Sequence, residues 1–232
     1  MKKQTKLLAV ITAIVFLVSP LAVFELTNSQ NTTPNASAHS GPIRVACVGD
    51  SITANSGYPS DLQALLGANY TVGNFGSSGS TVSLNSWKPY MNQTEFQNAE
   101  DFQPDIAIIM LGTNDDLMGL HQYNESFEDD YGKLITSFQQ TQNNPDVLIV
   151  DSPPIFSNNT DLSPAYLTSN IIPMTQDLAN RMDLPLIDVN SAFGNQSGCF
   201  VDGVHPDSQG ASLIASEVYD SMNSIYDLNQ IS

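Results

Sequence analysis

The sequence predicts an α/β fold in which a mainly parallel sheet of five strands is covered by helices on both faces. Three observations carry this expectation. Residues 45–48, 106–111 and 147–150 are apolar at nearly every position, the pattern of strands buried on both sides. Apolar residues at three- and four-residue spacing stand between these runs, as in helices that bury one stripe. Strand and helix patterns also alternate, and that order favours parallel pairing with helical crossovers.

In chain order, Val45-Ala46-Cys47-Val48 breaks on Gly49-Asp50-Ser51, so a buried strand delivers the Ser51 hydroxyl to the rim of the sheet. A Gly-Asp-Ser triplet is also found in ordinary turns, where Asp and Ser only bond nearby backbone. Tyr58, Leu62, Leu65 and Leu66 then recur at helical spacing up to Gly67. Residues 70–75 read as the second strand, and Gly76-Ser77-Ser78-Gly79-Ser80 as its exit loop. Residues 83–104 are irregular and hold the one tryptophan, Trp87. The third strand, residues 105–111, stops at Gly112-Thr113-Asn114-Asp115. Phe127, Tyr131, Leu134, Ile135 and Phe138 mark a helix, and residues 147–150 a fourth strand closing on Asp151-Ser152-Pro153-Pro154. Leu167, Ile171, Met174, Leu178 and Met182 keep helical spacing, with Pro173 expected to break the segment in two. Residues 186–189 form the last strand. Ala211, Ile214, Val218 and Met222 line a final helix that starts at Pro206-Asp207-Ser208. In parallel sheets the ligand crevice lies beyond the carboxyl ends of the strands. The loops beginning at Gly49, Gly76, Gly112 and Cys199 are therefore expected on one rim.

Bulk properties bound the class. The chain has 232 residues, 41% of them hydrophobic, enough for one domain with a substantial core. Its formal net charge is -17, and Lys2, Lys3 and Lys6 leave only Arg44, Lys88, Lys133 and Arg181 as fixed cations in the remainder. Such a surface repels phosphate backbones and argues against nucleic-acid binding. Residues 1–28 combine a basic start with an apolar run over residues 7–24, which fits either a signal peptide or an amino-terminal membrane anchor. Ala36-Ser37-Ala38 offers a cleavage site, and either reading sends the body of the chain outside the cytoplasm. Residues 29–42 read as a flexible polar linker and residues 43–228 as the folded domain. Asn31, Asn35, Asn69, Asn92, Asn124, Asn158 and Asn195 head glycosylation triplets, in mild agreement with an extracellular address. Cys47 and Cys199 could pair there, although a buried free thiol is the more ordinary state for a cysteine inside a central strand.

The chemistry rests on a few side chains. A serine hydroxyl needs a base to take its proton as it attacks. His39 stands in the linker and His121 in a surface connection, which leaves His205 in Asp202-Gly203-Val204-His205-Pro206. A carboxylate three residues before a histidine in a tight loop can hold one ring nitrogen and leave the other facing the serine. The same pair could equally stabilise a turn and cap the next helix. Attack on a carbonyl develops an oxyanion, for which the Ser51 N–H, the Gly79 N–H and the Asn114 amide are candidate donors, each typically worth ~3–4 kcal/mol. No metal-ligand spacing and no phosphate-binding loop accompany these residues, so no cofactor is expected.

Gly49-Asp50-Ser51, Gly79 within Asn74-Phe75-Gly76-Ser77-Ser78-Gly79, Gly112-Thr113-Asn114-Asp115, and Asp202-Gly203-Val204-His205-Pro206 resemble the four ordered blocks of the SGNH (GDSL) hydrolase family. The resemblance implies the SGNH hydrolase fold, a flavodoxin-like three-layer α/β/α sandwich. It also implies Ser51 as nucleophile, His205 and Asp202 as base and orienter, and Ser51, Gly79 and Asn114 as the oxyanion hole. Gly76 lies in the same block as Gly79 and competes with it for that role, and Ile52 replaces the family's usual leucine. The segments Trp87-Lys88-Pro89-Tyr90, Gly112-Thr113-Asn114-Asp115-Asp116 and Ser152-Pro153-Pro154 are similar to members that remove O-acetyl groups from sugars, sialate and xylan acetylesterases among them. On that likeness Asp50, Trp87, Tyr90 and Asp115 are expected to touch substrate, against structural roles as core plug or helix cap. The expectation is an extracytoplasmic serine esterase acting on a small-molecule or glycan ester. A tether through residues 7–24 fits it, and a lipase, lysophospholipase or thioesterase, or a non-catalytic glycan-binding module, are the alternatives.

Overall fold

Five parallel strands, β1 (Ile43–Gly49), β2 (Tyr70–Gly76), β3 (Ile106–Met110), β4 (Asp146–Val150) and β5 (Leu186–Ile187), form one sheet in the order β2-β1-β3-β4-β5. The computed structural model describes residues 41–157 and 161–228. The apolar amino-terminal run, the Ala36-Ser37-Ala38 site, His39, linker residues 29–40 and the triplets at Asn31, Asn35 and Asn158 lie outside the described residues. No helix among the described residues is long and apolar enough to cross a membrane.

The strands carry side chains alternately to the two faces, so each strand feeds two cores. Val45, Cys47, Ile108 and Val150 share one core with Tyr58 and Leu62 of α2 (Tyr58–Leu66), after the short α1 (Ser51–Asn55). Ala46, Val48, Ile109 and Ile149 share the other with Phe96 of α3 (Thr94–Asp101) and with Tyr131 and Phe138 of α4 (Asn124–Gln139). The second core is completed by a helical stretch in which α5 (Pro164–Tyr166) passes through a π-turn (Leu167–Ile171) into α6 (Ile172–Arg181). The first is completed by α7 (Val189–Phe193) and α8 (Ser208–Tyr226), whose Ala211, Ile214, Val218 and Met222 are fully covered. Burying each such large apolar side chain contributes ~1.5–3 kcal/mol. The result is the expected α/β/α sandwich with the strand order of the flavodoxin-like fold.

Several local expectations change. Residues 51–55 form a helix because the Asp50 carboxylate caps it, and residues 90–92 and 94–101 are helical rather than irregular. Pro173 divides its segment without ending it: it follows closely on the π-turn Leu167–Ile171, so the helical path continues into α6 but changes its hydrogen-bond pattern there. β5 ends at Ile187 rather than Val189 because Asp188 caps α7, its carboxylate accepting from the Ser191 N–H. Leu65 points outward at 45% exposure and leaves the inner face of α2 to its neighbours. Both cysteines are free, as the reading of a buried thiol in β1 expected, and burial pushes the Cys47 thiol up to about 12.

One row of this sheet positions the site. Gly76, Gly49, Met110, Val150 and Ile187 stand side by side in register at the carboxyl ends of their strands. The loops that follow therefore leave the sheet at one level.

Candidate active site

Ser51 leaves β1 two residues beyond that row and opens α1. Asp50 precedes it as the cap, and its Oδ1 accepts the Ile52 N–H at 2.9 Å. The cap stops Asp50 from continuing the strand and turns the Ser51 side chain toward the loop ahead of α8.

That loop is a tight one. Phe200 bridges Pro206, and the Val201 N–H donates to the His205 carbonyl at 2.8 Å, closing residues 201–205 into a hairpin-like turn. Within it the Asp202 Oδ1 accepts the N–H groups of Val204 (2.9 Å) and His205 (2.8 Å). Gly203 adopts φ +81°, and a Cβ there would lie 2.7 Å from the Ser157 nitrogen, so only glycine suits the turn. The turn aims the imidazole. His205 Nδ1 lies 2.8 Å from Asp202 Oδ2, and His205 Nε2 lies 2.9 Å from Ser51 Oγ.

The electrostatics set the tautomer. What burial Asp202 has raises its carboxyl, but the His205 N–H, the His205 ring and the Val204 N–H outweigh that and hold it at about 2. An ionised Asp202 can only accept, so Nδ1 carries the hydrogen and Nε2 presents its lone pair to the serine hydroxyl. The His205 and Asp202 side chains remain 42% and 53% exposed, at the floor of an open cleft. The cleft has a volume of about 370 Å³ and is lined by Ser51, Ile52, Asn55, Val201, His205 and Pro206 among others. A larger groove of about 750 Å³ runs between α4 and α6 past Glu128, Lys133, Leu178 and Arg181, away from these groups. Ser51, His205 and Asp202 line the smaller cavity.

Donors stand on the neighbouring loops. No acceptor among the described residues takes the N–H of Ser51 or of Gly79. Gly79 has φ +76° and open space where a Cβ would be. Gly76, by contrast, is packed against the backbone of Ala54, and its N–H is bonded to Asn74 Oδ1 at 3.0 Å. Of the two glycines, Gly79 is the one whose N–H has no acceptor among the described residues. Asn114 Nδ2 donates to the Ser80 carbonyl at 3.0 Å and, at a longer 3.3 Å, to Asp50 Oδ2. The two bonds hold the Asn114 amide between the Asp50 carboxylate and the loop after β2.

Three expected substrate contacts are corrected. Asp50 is 1% exposed and spent on the Ile52 N–H and the Asn114 amide, and burial raises its carboxyl to about 6. Tyr90 is 1% exposed, stacks edge-on with Phe96, and donates its hydroxyl to the Phe75 carbonyl at 2.6 Å. Asp115 is 2% exposed and accepts the N–H groups of Val82 (2.8 Å) and Ser83 (2.9 Å), with burial again raising it to about 6. These side chains build the loops and present no surface to a ligand. Trp87, at 65% exposure, does present one. Asn55 and Val201 were not expected in the cleft. Asn55 stands four residues after Ser51 on α1, and the Asp50 cap was the sequence signal for that helical face.

A flavodoxin-like sheet bearing a hydrogen-bonded Ser–His–Asp line at the carboxyl ends of its strands defines the class of α/β proteins equipped for acyl transfer from a serine. The comparisons agree at the level of family. Residues 47–213 match the model of the GDSL-like lipase/acylhydrolase family, and the chain belongs to that family. It is 33% identical over 199 residues to an acetylxylan esterase of Xylanibacter ruminicola, a match covering 75% of this chain. The chain spans only 42% of that relative's length. Among solved structures, the inhibitor-bound aryl esterase of M. smegmatis superposes with a TM-score of 0.63 at 19% identity, covering 79% of this chain and 99% of that one. A carbohydrate acetylesterase family member from Sinorhizobium meliloti does so at 0.59 and 20% identity, covering 80% and 99%. At that identity the two structures speak for the fold.

Proposed function

We propose that this chain is an extracytoplasmic serine esterase that removes short acyl groups, acetyl above all, from hydroxyls of a carbohydrate. The observation that carries the reading is the unbroken line from Ser51 Oγ through the His205 ring to the Asp202 carboxylate. In the forward step Ser51 Oγ attacks the ester carbonyl while His205 Nε2 takes its proton, and the positive ring is steadied by Asp202. The N–H groups of Ser51 and Gly79 and the Asn114 amide meet the oxyanion. His205 returns the proton to the departing sugar hydroxyl, leaving an acyl group on Ser51. Water, deprotonated by the same imidazole, then releases the carboxylic acid.

The acetyl and sugar parts of the reading draw support from the acetylxylan esterase relative, and the address from the amino-terminal pattern. Ser51→Ala should abolish hydrolysis of p-nitrophenyl acetate while the far-ultraviolet circular dichroism stays unchanged. Full activity in that variant defeats the reading. Activity peaking on long-chain p-nitrophenyl esters defeats the short-acyl part alone, and a panel of acetylated sugars then tests the carbohydrate part.

A further inference from the structure

Lys88 is one of four fixed cations in the chain beyond the basic amino-terminal segment, and its ammonium does not pair with a carboxylate within the described residues. Its Nζ donates instead to the backbone carbonyl of Ser78 at 2.6 Å. That oxygen belongs to the Ser78–Gly79 peptide, the same planar unit whose N–H is the Gly79 donor. We infer that Lys88 is a positioning residue for the oxyanion hole, aiming and polarising the Gly79 N–H through the Ser78 carbonyl. The inference rests on the esterase reading above.

The geometry of the turn explains why such a hold is needed. The Ser80 N–H donates to the Ser77 carbonyl at 3.0 Å, closing a four-residue turn with Ser78 and Gly79 at its centre. Gly79 is at φ +76° and Ser78 is not among the residues with positive φ, which makes this a type II turn. Type I and type II turns differ in the orientation of the central peptide. Glycine at the third position lets that peptide turn over at little cost, and nothing lies within 4 Å of where a Cβ would be to resist it. In a trans peptide the C=O and N–H point in opposite directions. A bond that fixes the Ser78 oxygen therefore fixes the Gly79 hydrogen on the opposite side.

Lys88 is itself anchored. The Thr81 N–H donates to the Lys88 carbonyl at 3.1 Å and the Tyr90 N–H to the Thr81 carbonyl at 2.9 Å, so the loop between them is closed at its base. Asp115, next to Asn114, holds the Val82 and Ser83 N–H groups of that loop. On the other side, Asn55 of α1 donates its amide to Ser78 Oγ at 2.9 Å. A cation on the carbonyl also withdraws electron density from the peptide and makes its N–H a stronger donor, an effect that matters most when the oxygen it faces becomes negative.

The test compares Lys88→Met, Lys88→Gln and Lys88→Arg with wild type on p-nitrophenyl acetate, with Ser51→Ala as the control and thermal melts for each. Lys88→Met should lower kcat about tenfold with KM within twofold, and should weaken a boronate mimic of the tetrahedral state by a similar factor. Lys88→Gln, which keeps an uncharged donor, should lose less. Lys88→Arg should recover at least a third of the wild-type kcat. A Lys88→Met enzyme with wild-type kcat overturns the inference. So does an equal loss in Met and Arg variants that tracks a fall in melting temperature, which marks a merely structural side chain. If Lys88→Met does not fold, Lys88→Gln with wild-type kcat overturns it in the same way. An inactive wild type, or an active Ser51→Ala, fails the esterase reading itself, and is distinguishable because it appears before any Lys88 variant is compared.

Discussion

Replacing Asp202 by Asn probes the electrostatics of the proposed machinery with almost no change of shape. The wild-type carboxylate divides its work, Oδ1 accepting the Val204 and His205 N–H groups and Oδ2 facing His205 Nδ1 at 2.8 Å. In Asp202→Asn the side-chain carbonyl keeps the two backbone donors, so the turn survives. The amide nitrogen then faces His205 Nδ1 and donates to it. That moves the ring hydrogen to Nε2, 2.9 Å from Ser51 Oγ, and the base is lost at the atom where it is needed. In a fully buried triad the corresponding change costs about 10⁴ in kcat. Asp202 here is half exposed, so water competes with the Asn amide for Nδ1 and the wrong tautomer is enforced less strictly; a loss of about 10²–10³, or ~3–4 kcal/mol in the barrier, is expected. Steady-state hydrolysis of p-nitrophenyl acetate at neutral pH measures it, and the melting temperature should move by no more than a degree or two. A kcat within threefold of wild type would refute the reasoning about tautomer and base together.

Other perturbations bear on the support of the site. Burial lifts Asp50 and Asp115 to about 6 and Asp116 and Asp151 to about 7, above the ~3.9 of an unfolded chain. The folded state therefore binds extra protons between these values, and that stabilisation is lost as pH rises through 6 to 7. Depressed Asp202 acts oppositely, but only as pH falls from about 4 toward 2. The urea midpoint should accordingly be higher at pH 5 than at pH 8, and the reverse order would contradict the burial of these acids. Asp115→Ala leaves the buried Val82 and Ser83 N–H groups without acceptors and should cost about 2–6 kcal/mol in denaturant unfolding, at ~1–3 kcal/mol for each orphaned donor. Tyr90→Phe removes only the bond to the Phe75 carbonyl and should cost ~1–2 kcal/mol of stability with KM unchanged; a raised KM without destabilisation would restore Tyr90 as a substrate contact.

Much of this molecule was written in local patterns. The apolar runs inside β1, β3 and β4 were legible as buried strands, being too short for a helix and bounded by turn residues. The stripe Ala211, Ile214, Val218, Met222 and the Asp207 cap defined α8 in the same way. The short helices escaped: α1 depends on the Asp50 carboxylate reaching the Ile52 N–H, and α3 carries only Phe96 and Ala99 inward, too few positions to show a period.

By itself the sequence determined which residue types lie in the loops after β1, β2, β3 and β5, and the order of those loops. It also determined the acidic balance of the chain. Only the tertiary structure decided which of these polar groups meet. The register that sets Gly76, Gly49 and Met110 abreast brings Ser51 within 2.9 Å of a histidine 154 residues away, while burial turns Asp50, Tyr90 and Asp115 inward to hold the loops in place. The physical reason is that a side chain's chemistry is carried in the chain, but its solvent exposure and its partners come from packing, and those decide whether a carboxylate is a cap or a contact.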